Sequence, residues 1–221
     1  MAGSARPVEW RTYANILAIL VSAAAAAWVL LGGSSLGLLA SVDLGFHELG
    51  HLVLAVAPSM VTALAGSAVQ VAVPLGLALY FGLRREAYAS SLMLAWAATS
   101  AANVSAYIAD APFQVLPLFG NGTHDWAFIL AAHLDWAAPL AAGVRWGAVG
   151  IAVMGAIAAA IPLLMPRLRA GREAELRRER ELREAQLAAV APRREPRNGP
   201  ARLPLRSPNE QRPPSAPAAR F

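Results

Sequence analysis

His47, Glu48 and His51 stand in the run His47-Glu48-Leu49-Gly50-His51. On a helix, this HExxH spacing puts two imidazoles on one face, a turn apart, so both can reach one metal ion. Glu48 lies beside them, where a carboxylate can take a proton from a water whose pKa the metal has lowered toward neutrality. The ion expected is Zn2+ and the chemistry is hydrolysis. With four histidines in 221 residues, the pattern arises by chance in about three such chains per thousand.

The setting sharpens the reading. An ionisable group at bilayer depth costs about 2.5–3.5 kcal/mol on insertion scales, and Asp43, His47, Glu48 and His51 all fall in one apolar stretch. A polar stripe that only packs helices together is the competing explanation.

Apolar residues make up 57 % of the chain, and several runs approach the length of a bilayer crossing. The fold class expected is therefore all-α, a polytopic transmembrane helix bundle of about five spans, and not a soluble domain. The spans fall at about 13–31, 35–57, 60–83, 88–109 and 144–165. The first is Ala-rich but lacks a convincing cleavage site, so it is expected to stay in the mature chain. The stretch 126–143 is interrupted by His133, Asp135 and Pro139 and reads as an interfacial helix. With no cysteine, any metal must be held by His and carboxylate.

Charge divides the chain. Residues 167–221 carry 14 Arg against 7 acidic groups, a net of +7, and residues 1–166 carry 5 Arg against 7, a net of −2. The expected parts are a transmembrane metalloprotease-like domain over 1–166, a juxtamembrane charged helix over 167–190, and a disordered Arg/Pro-rich tail over 191–221. The tail reads as a positive-inside anchor, placed in the cytoplasm beneath a bacterial inner membrane, and no specific nucleic acid is expected as a partner. With five spans, that puts Arg84 and Arg85 inside and the 110–143 loop outside. Arg6 and Arg11 oppose this arrangement. If 126–143 also spanned, the chain would have six crossings with both termini inside.

Crossing parity brings the motif to the same membrane face as the end of the fourth span and the start of the following loop. A catalytic zinc needs a third protein ligand, and the candidates on that face are Asp110, His124 and Asp125. Asp110 and His124 lead, because Asp125 suits an N-cap for a helix starting at Trp126. Asp43, one turn before His47, is placed to orient its imidazole. Gln70 with Ser67 can reach across from the third span. His133 and Asp135 read as interfacial polar residues.

Phe46 to His51, the Asn at the fourth span and the later Asp together resemble the site-2 protease class of intramembrane zinc metallopeptidases. That class has a zinc-ligating Asp in an Asn-x-x-Pro-x-x-x-x-Asp-Gly segment; here Asn103 and Asp110 stand one residue closer, without the Pro or the Gly. The set Gly66, Ser67, Gln70, Asn103, Tyr107 to Asp110 and His124 to Trp126 looks still more like an uncharacterised group of small bacterial membrane proteins with the same HExxH. The likeness covers about residues 40–165. It implies zinc, a water activated by Glu48, and cleavage of a peptide bond in or near the bilayer, in an unknown peptide or membrane-protein substrate. The alternative from another class is a non-proteolytic membrane protein with a structural, sensing or transport metal site.

Overall fold

The computed structural model describes residues 9–34, 36–117 and 123–190. Its elements are α1 (Glu9–Leu30), α2 (Gly37–Val53), α3 (Ser59–Leu83), α4 (Ala87–Asp110), α5 (Asp125–Ile129), a 3-10 turn (Leu134–Trp136) and α6 (Ala137–Val190). No strand occurs among the described residues. The chain divides into two compact units, Met1–Arg172 and Glu173–Phe221. The second contributes an exposed stretch of Arg/Glu-rich helix, and the expected disordered tail, 191–221, lies outside the described residues. The first carries everything that follows.

Helix α4 is the spine of this unit, and small side chains make it so. Ala97, Ala98, Ala102, Ser91 and Ser100 are buried, which lets neighbouring backbones approach as membrane helices must when apolar burial does not drive their association. Their hydroxyls tie helix to helix: Ser90 donates to Ala78 O at 2.8 Å, Ser100 to Gln70 O at 3.1 Å and Ser105 to Ala141 O at 2.8 Å. Such bonds average about 0.6 kcal/mol in a bilayer. They set register more than they add stability. Arg145 of α6 donates to Val29 O at 2.9 Å, satisfying a carbonyl in the last turn of α1.

These contacts fix the direction of every helix. Trp10 meets Tyr88 edge-on, 5.6 Å between centroids, and Val29 shares a buried cluster with Ala101 and Ala102, so α1 runs parallel to α4. The pairs Ala78–Ser90 and Gln70–Ser100 make α3 antiparallel to α4. Contacts of His51 with Thr62 and of His47 with Gln70 make α2 antiparallel to α3, hence parallel to α1. The pair Ser105–Ala141, with Ala152 packed among Ala25, Ala95 and Ala98, sends α6 back the other way.

Parallel α1 and α2 overturn the five-span expectation. Only six residues, 31–36, join them, and six residues reach about 20 Å at full extension, against about 30 Å of hydrocarbon. They cannot both be complete crossings in one direction. The connection instead doubles back along α1, where Gly33 lies so close to the Trp28 indole that a Cβ would overlap the ring. With 17 residues, α2 is about 25 Å long, shorter than the helices on either side of it. Four helical segments have the length and composition to cross a membrane: Trp10–Leu30, Ser59–Leu83, Ala87–Asp110 and Leu134–Leu187. The chain thus has the apolar helices of an integral membrane protein.

The last of these also replaces the expected interfacial helix over 126–143. Helix α5 is only five residues, the chain breaks at 130–133, and residues from Ala137 onward already belong to α6. Pro139 sits in the first turn of that helix, where its missing N–H costs nothing. At its other end α6 continues unbroken through Pro162 and Pro166, across the change in composition at residue 167.

One end of the bundle consequently gathers the start of α1, the α3–α4 turn and the outgoing part of α6. The other gathers the α2–α3 turn, the end of α4, and α5.

Candidate metal centre

The second end holds the HExxH motif. Its i, i+4 spacing on α2 sets the His47 and His51 rings 4.7 Å apart at centroids, edge to face. Asp125, at the first position of α5, comes from 78 residues away to meet them: its Oδ2 lies 3.0 Å from His47 Nε2 and 3.2 Å from His51 Nε2. All three donor atoms lie within 4.8 Å of one another, the only such group of His and carboxylate among the described residues.

The far side of each ring explains its orientation. His47 Nδ1 is 3.3 Å from Gln70 Oε1, and His51 Nδ1 donates to Thr62 O at 2.8 Å. The Gln70 amide has a fixed sense because its Nε2 donates to Ser100 O. Both partners can only accept, so each Nδ1 carries a proton, and in the neutral ring each Nε2 then presents a lone pair. Two lone pairs and a carboxylate oxygen therefore point at one another, which is repulsive unless positive charge lies between them. A proton satisfies one ring. A metal ion satisfies both rings and the carboxylate at once.

Space has been left for this. Gly66 on α3 faces the pair, and a Cβ there would lie 2.6 Å from both Nε2 atoms. Gly50, one turn along α2, packs directly on the Ala65 carbonyl and lets the two helices close. The donor set and the room around it fit a zinc-like ion.

Asp125 is held by Tyr107 of α4, whose hydroxyl accepts from Asp125 N at 3.1 Å and donates to Asp125 Oδ2 at 3.4 Å. The Tyr107 ring stands between His47 and His124, with centroids at 5.8 and 4.2 Å. Trp126 anchors α5 below, donating from its indole to Ser67 Oγ at 3.0 Å.

Asp110 and His124, the leading third-ligand candidates in the sequence, form a pair of their own outside this group. Asp110 accepts from Val115 N and Leu116 N at 3.1 and 3.0 Å, shaping the loop after α4. His124 is buried, with Nε2 3.3 Å from Asp110 Oδ2 but misaligned for a hydrogen bond, and its Nδ1 accepts from Ala127 N at 3.2 Å as the N-cap of α5. The cap expected of Asp125 thus falls to the residue before it, because α5 starts one residue earlier than the apolar pattern indicates. That shift frees the Asp125 carboxylate. Asp43 is also used otherwise: it is buried and accepts from Trp96 Nε1 at 2.8 Å, while Gln70 orients His47. His133 and Asp135 are exposed on the turn before α6.

Glu48 makes no hydrogen bond or ion pair among the described residues. It lines, with His47, a cavity of about 340 Å³ whose other walls are the apolar Ala40, Leu44, Val104, Leu116 and Pro117 and the polar Gln70, Asn103 and Tyr107. A second cavity, of about 410 Å³, opens on the other side of the centre beside His51 and Asp125, near Ser59 and Thr123. The centre is accessible from both sides. No protein-family model, curated protein or solved structure matches this chain.

Proposed function

We propose that this chain is an intramembrane zinc metalloprotease-like hydrolase of a bacterial inner membrane, in which His47, His51 and Asp125 hold the metal and Glu48 is the general base. The reading replaces Asp110 and His124 by Asp125 in the ligand set. It rests above all on one observation, the convergence on a single point of one carboxylate oxygen and two Nε2 atoms whose rings face acceptors at Nδ1. When bound there, zinc supplies Lewis acidity toward a carbonyl oxygen and acidifies water.

The chain's own residues supply the rest. Glu48, unpaired and facing the cavity, takes a proton from the attacking water and returns it to the departing amine nitrogen. Gln70 and Thr62 keep both rings in the tautomer that leaves Nε2 free. Tyr107 holds Asp125 from its backbone and its carboxylate. Glu48 is exposed at the cavity mouth, where water can reach it, and the apolar residues Ala40, Leu44 and Val104 beside it suit an apolar polypeptide segment as substrate. The arginine-rich tail belongs to the cytoplasm under the charge rule.

The test is the pair of wild type and Glu48→Gln, purified in detergent, with metal content and peptide hydrolysis both measured. One zinc per chain in each protein, with cleavage lost only in the variant, supports the reading. Equal cleavage by both removes Glu48 from the mechanism. A bound metal with no hydrolytic activity in either points instead to a structural, sensing or transport site.

A further inference from the structure

We infer that the centre works at the extracytoplasmic border of the membrane, on membrane-anchored polypeptides whose scissile bond lies at the outer edge of an apolar segment. The inference of substrate class rests on the peptidase reading; the sidedness rests on geometry and charge alone.

Direction is decided by where the arginines collect. Arg11 opens α1, and the Trp10–Tyr88 contact puts that end level with the start of α4. Arg84 and Arg85 form the α3–α4 turn beside it. Because α6 runs antiparallel to α4, Arg167, Arg169 and Arg172 leave at the same end. Six arginines thus flank the crossings at one end. The opposite end has Arg145, which is committed to the Val29 carbonyl. With α2 re-entrant, the crossings number four, so the N-terminal arginines no longer conflict with the others. Arginines within short turns and close to crossing ends set orientation, which makes the arginine end cytoplasmic. The other end, with His47, His51 and Asp125, faces out.

The two cavities then take different roles. The one beside Glu48 extends along α2 past Leu44 and Ala40, away from the α2–α3 turn and so toward bilayer depth, and its walls are largely apolar. The other opens past Thr123, Ser59 and Ala57 at the outer end, where water has access. An anchored chain can lie with its apolar segment in the first and its polar continuation toward the second. The bond at that transition passes the centre.

The absence of cysteine makes a direct test possible. Single cysteines are placed in the full-length chain at Val56 and Phe113, exposed at the outer end, and at Gly171, exposed at the arginine end. Intact cells are treated with a membrane-impermeant maleimide, and then again after permeabilisation. Val56→Cys and Phe113→Cys should label in intact cells and Gly171→Cys only after permeabilisation. Reversed labelling overturns the orientation, and labelling of all three in one compartment overturns the four-crossing path. In a parallel arm, an impermeant chelator should strip zinc from sealed right-side-out vesicles. Protein that carries no metal before treatment fails the peptidase reading while leaving the labelling result intact.

Discussion

His47 and Asp125, 78 positions apart in the chain, meet at 3.0 Å between Nε2 and Oδ2, and each is held from behind by another helix: His47 by Gln70 of α3, Asp125 by Tyr107 of α4. The pair therefore has a defined geometry before any ion arrives. Pre-set donors bind a metal without first ordering flexible side chains, which would weaken affinity.

The two carboxylates near the centre should separate cleanly on mutation. Asp125→Asn exchanges a charged donor for a neutral amide facing both imidazoles, so zinc content of the purified protein should fall to a small fraction of wild type. Asp110→Asn should keep the metal, because its carboxylate serves the backbone of Val115 and Leu116. Its cost is stability, on the order of 1–3 kcal/mol for weakened buried hydrogen bonds. Metal analysis beside thermal unfolding checks both. Zinc lost from Asp110→Asn and kept in Asp125→Asn would reverse the assignment.

Gln70→Leu tests the orienting partner. It removes the acceptor from His47 Nδ1 while roughly preserving volume, which lets the ring turn or exchange its tautomer. Zinc affinity should drop about 10- to 100-fold, the usual effect of losing such a partner. Competition with a chelator of known affinity measures it directly. Gln70→Glu also offers only acceptors toward Nδ1 and should retain most of the binding.

How much of this was legible beforehand differs by element. The helical class and the two histidines follow from composition and a five-residue pattern that local geometry enforces. Gln70 and Ser67 were also readable, as polar residues in an apolar helix that need partners. The choice of Asp125 over Asp110 was not, because it depends on a one-residue difference in where α5 begins. Asp ranks among the best N-caps, so sequence preference gave the cap to Asp125 and the structure gives it to His124. The span count failed for a related reason. Hydropathy measures whether residues tolerate lipid; α2 runs parallel to α4 as crossing parity expects, and the contacts of Trp10 with Tyr88 and of Val29 with Ala101 and Ala102 reveal that α1 runs the same way.

Tyr107→Phe keeps the ring between His47 and His124 but removes the hydroxyl that contacts Asp125 twice. The Asp125 N–H loses its acceptor and the carboxylate loses a donor. Zinc affinity should weaken by about tenfold or more through looser positioning of Asp125. A variant with wild-type affinity in the same chelator competition would remove Tyr107 from the support of the centre.

Gly66→Ala separates the site from the fold most sharply, because local and site effects oppose one another. In the middle of α3, replacing Gly by Ala favours the helix by about 1 kcal/mol. The added Cβ, however, would stand 2.6 Å from both Nε2 atoms, inside van der Waals contact and in the space between the two rings that would share the proposed metal. Relief requires one imidazole to swing away, breaking its bond to Gln70 Oε1 or Thr62 O. The variant should insert and stay helical by circular dichroism, with zinc content and hydrolysis both lost. Retention of stoichiometric zinc by Gly66→Ala would show that the ion sits away from the face of α3, and the position assigned to the centre would have to be abandoned.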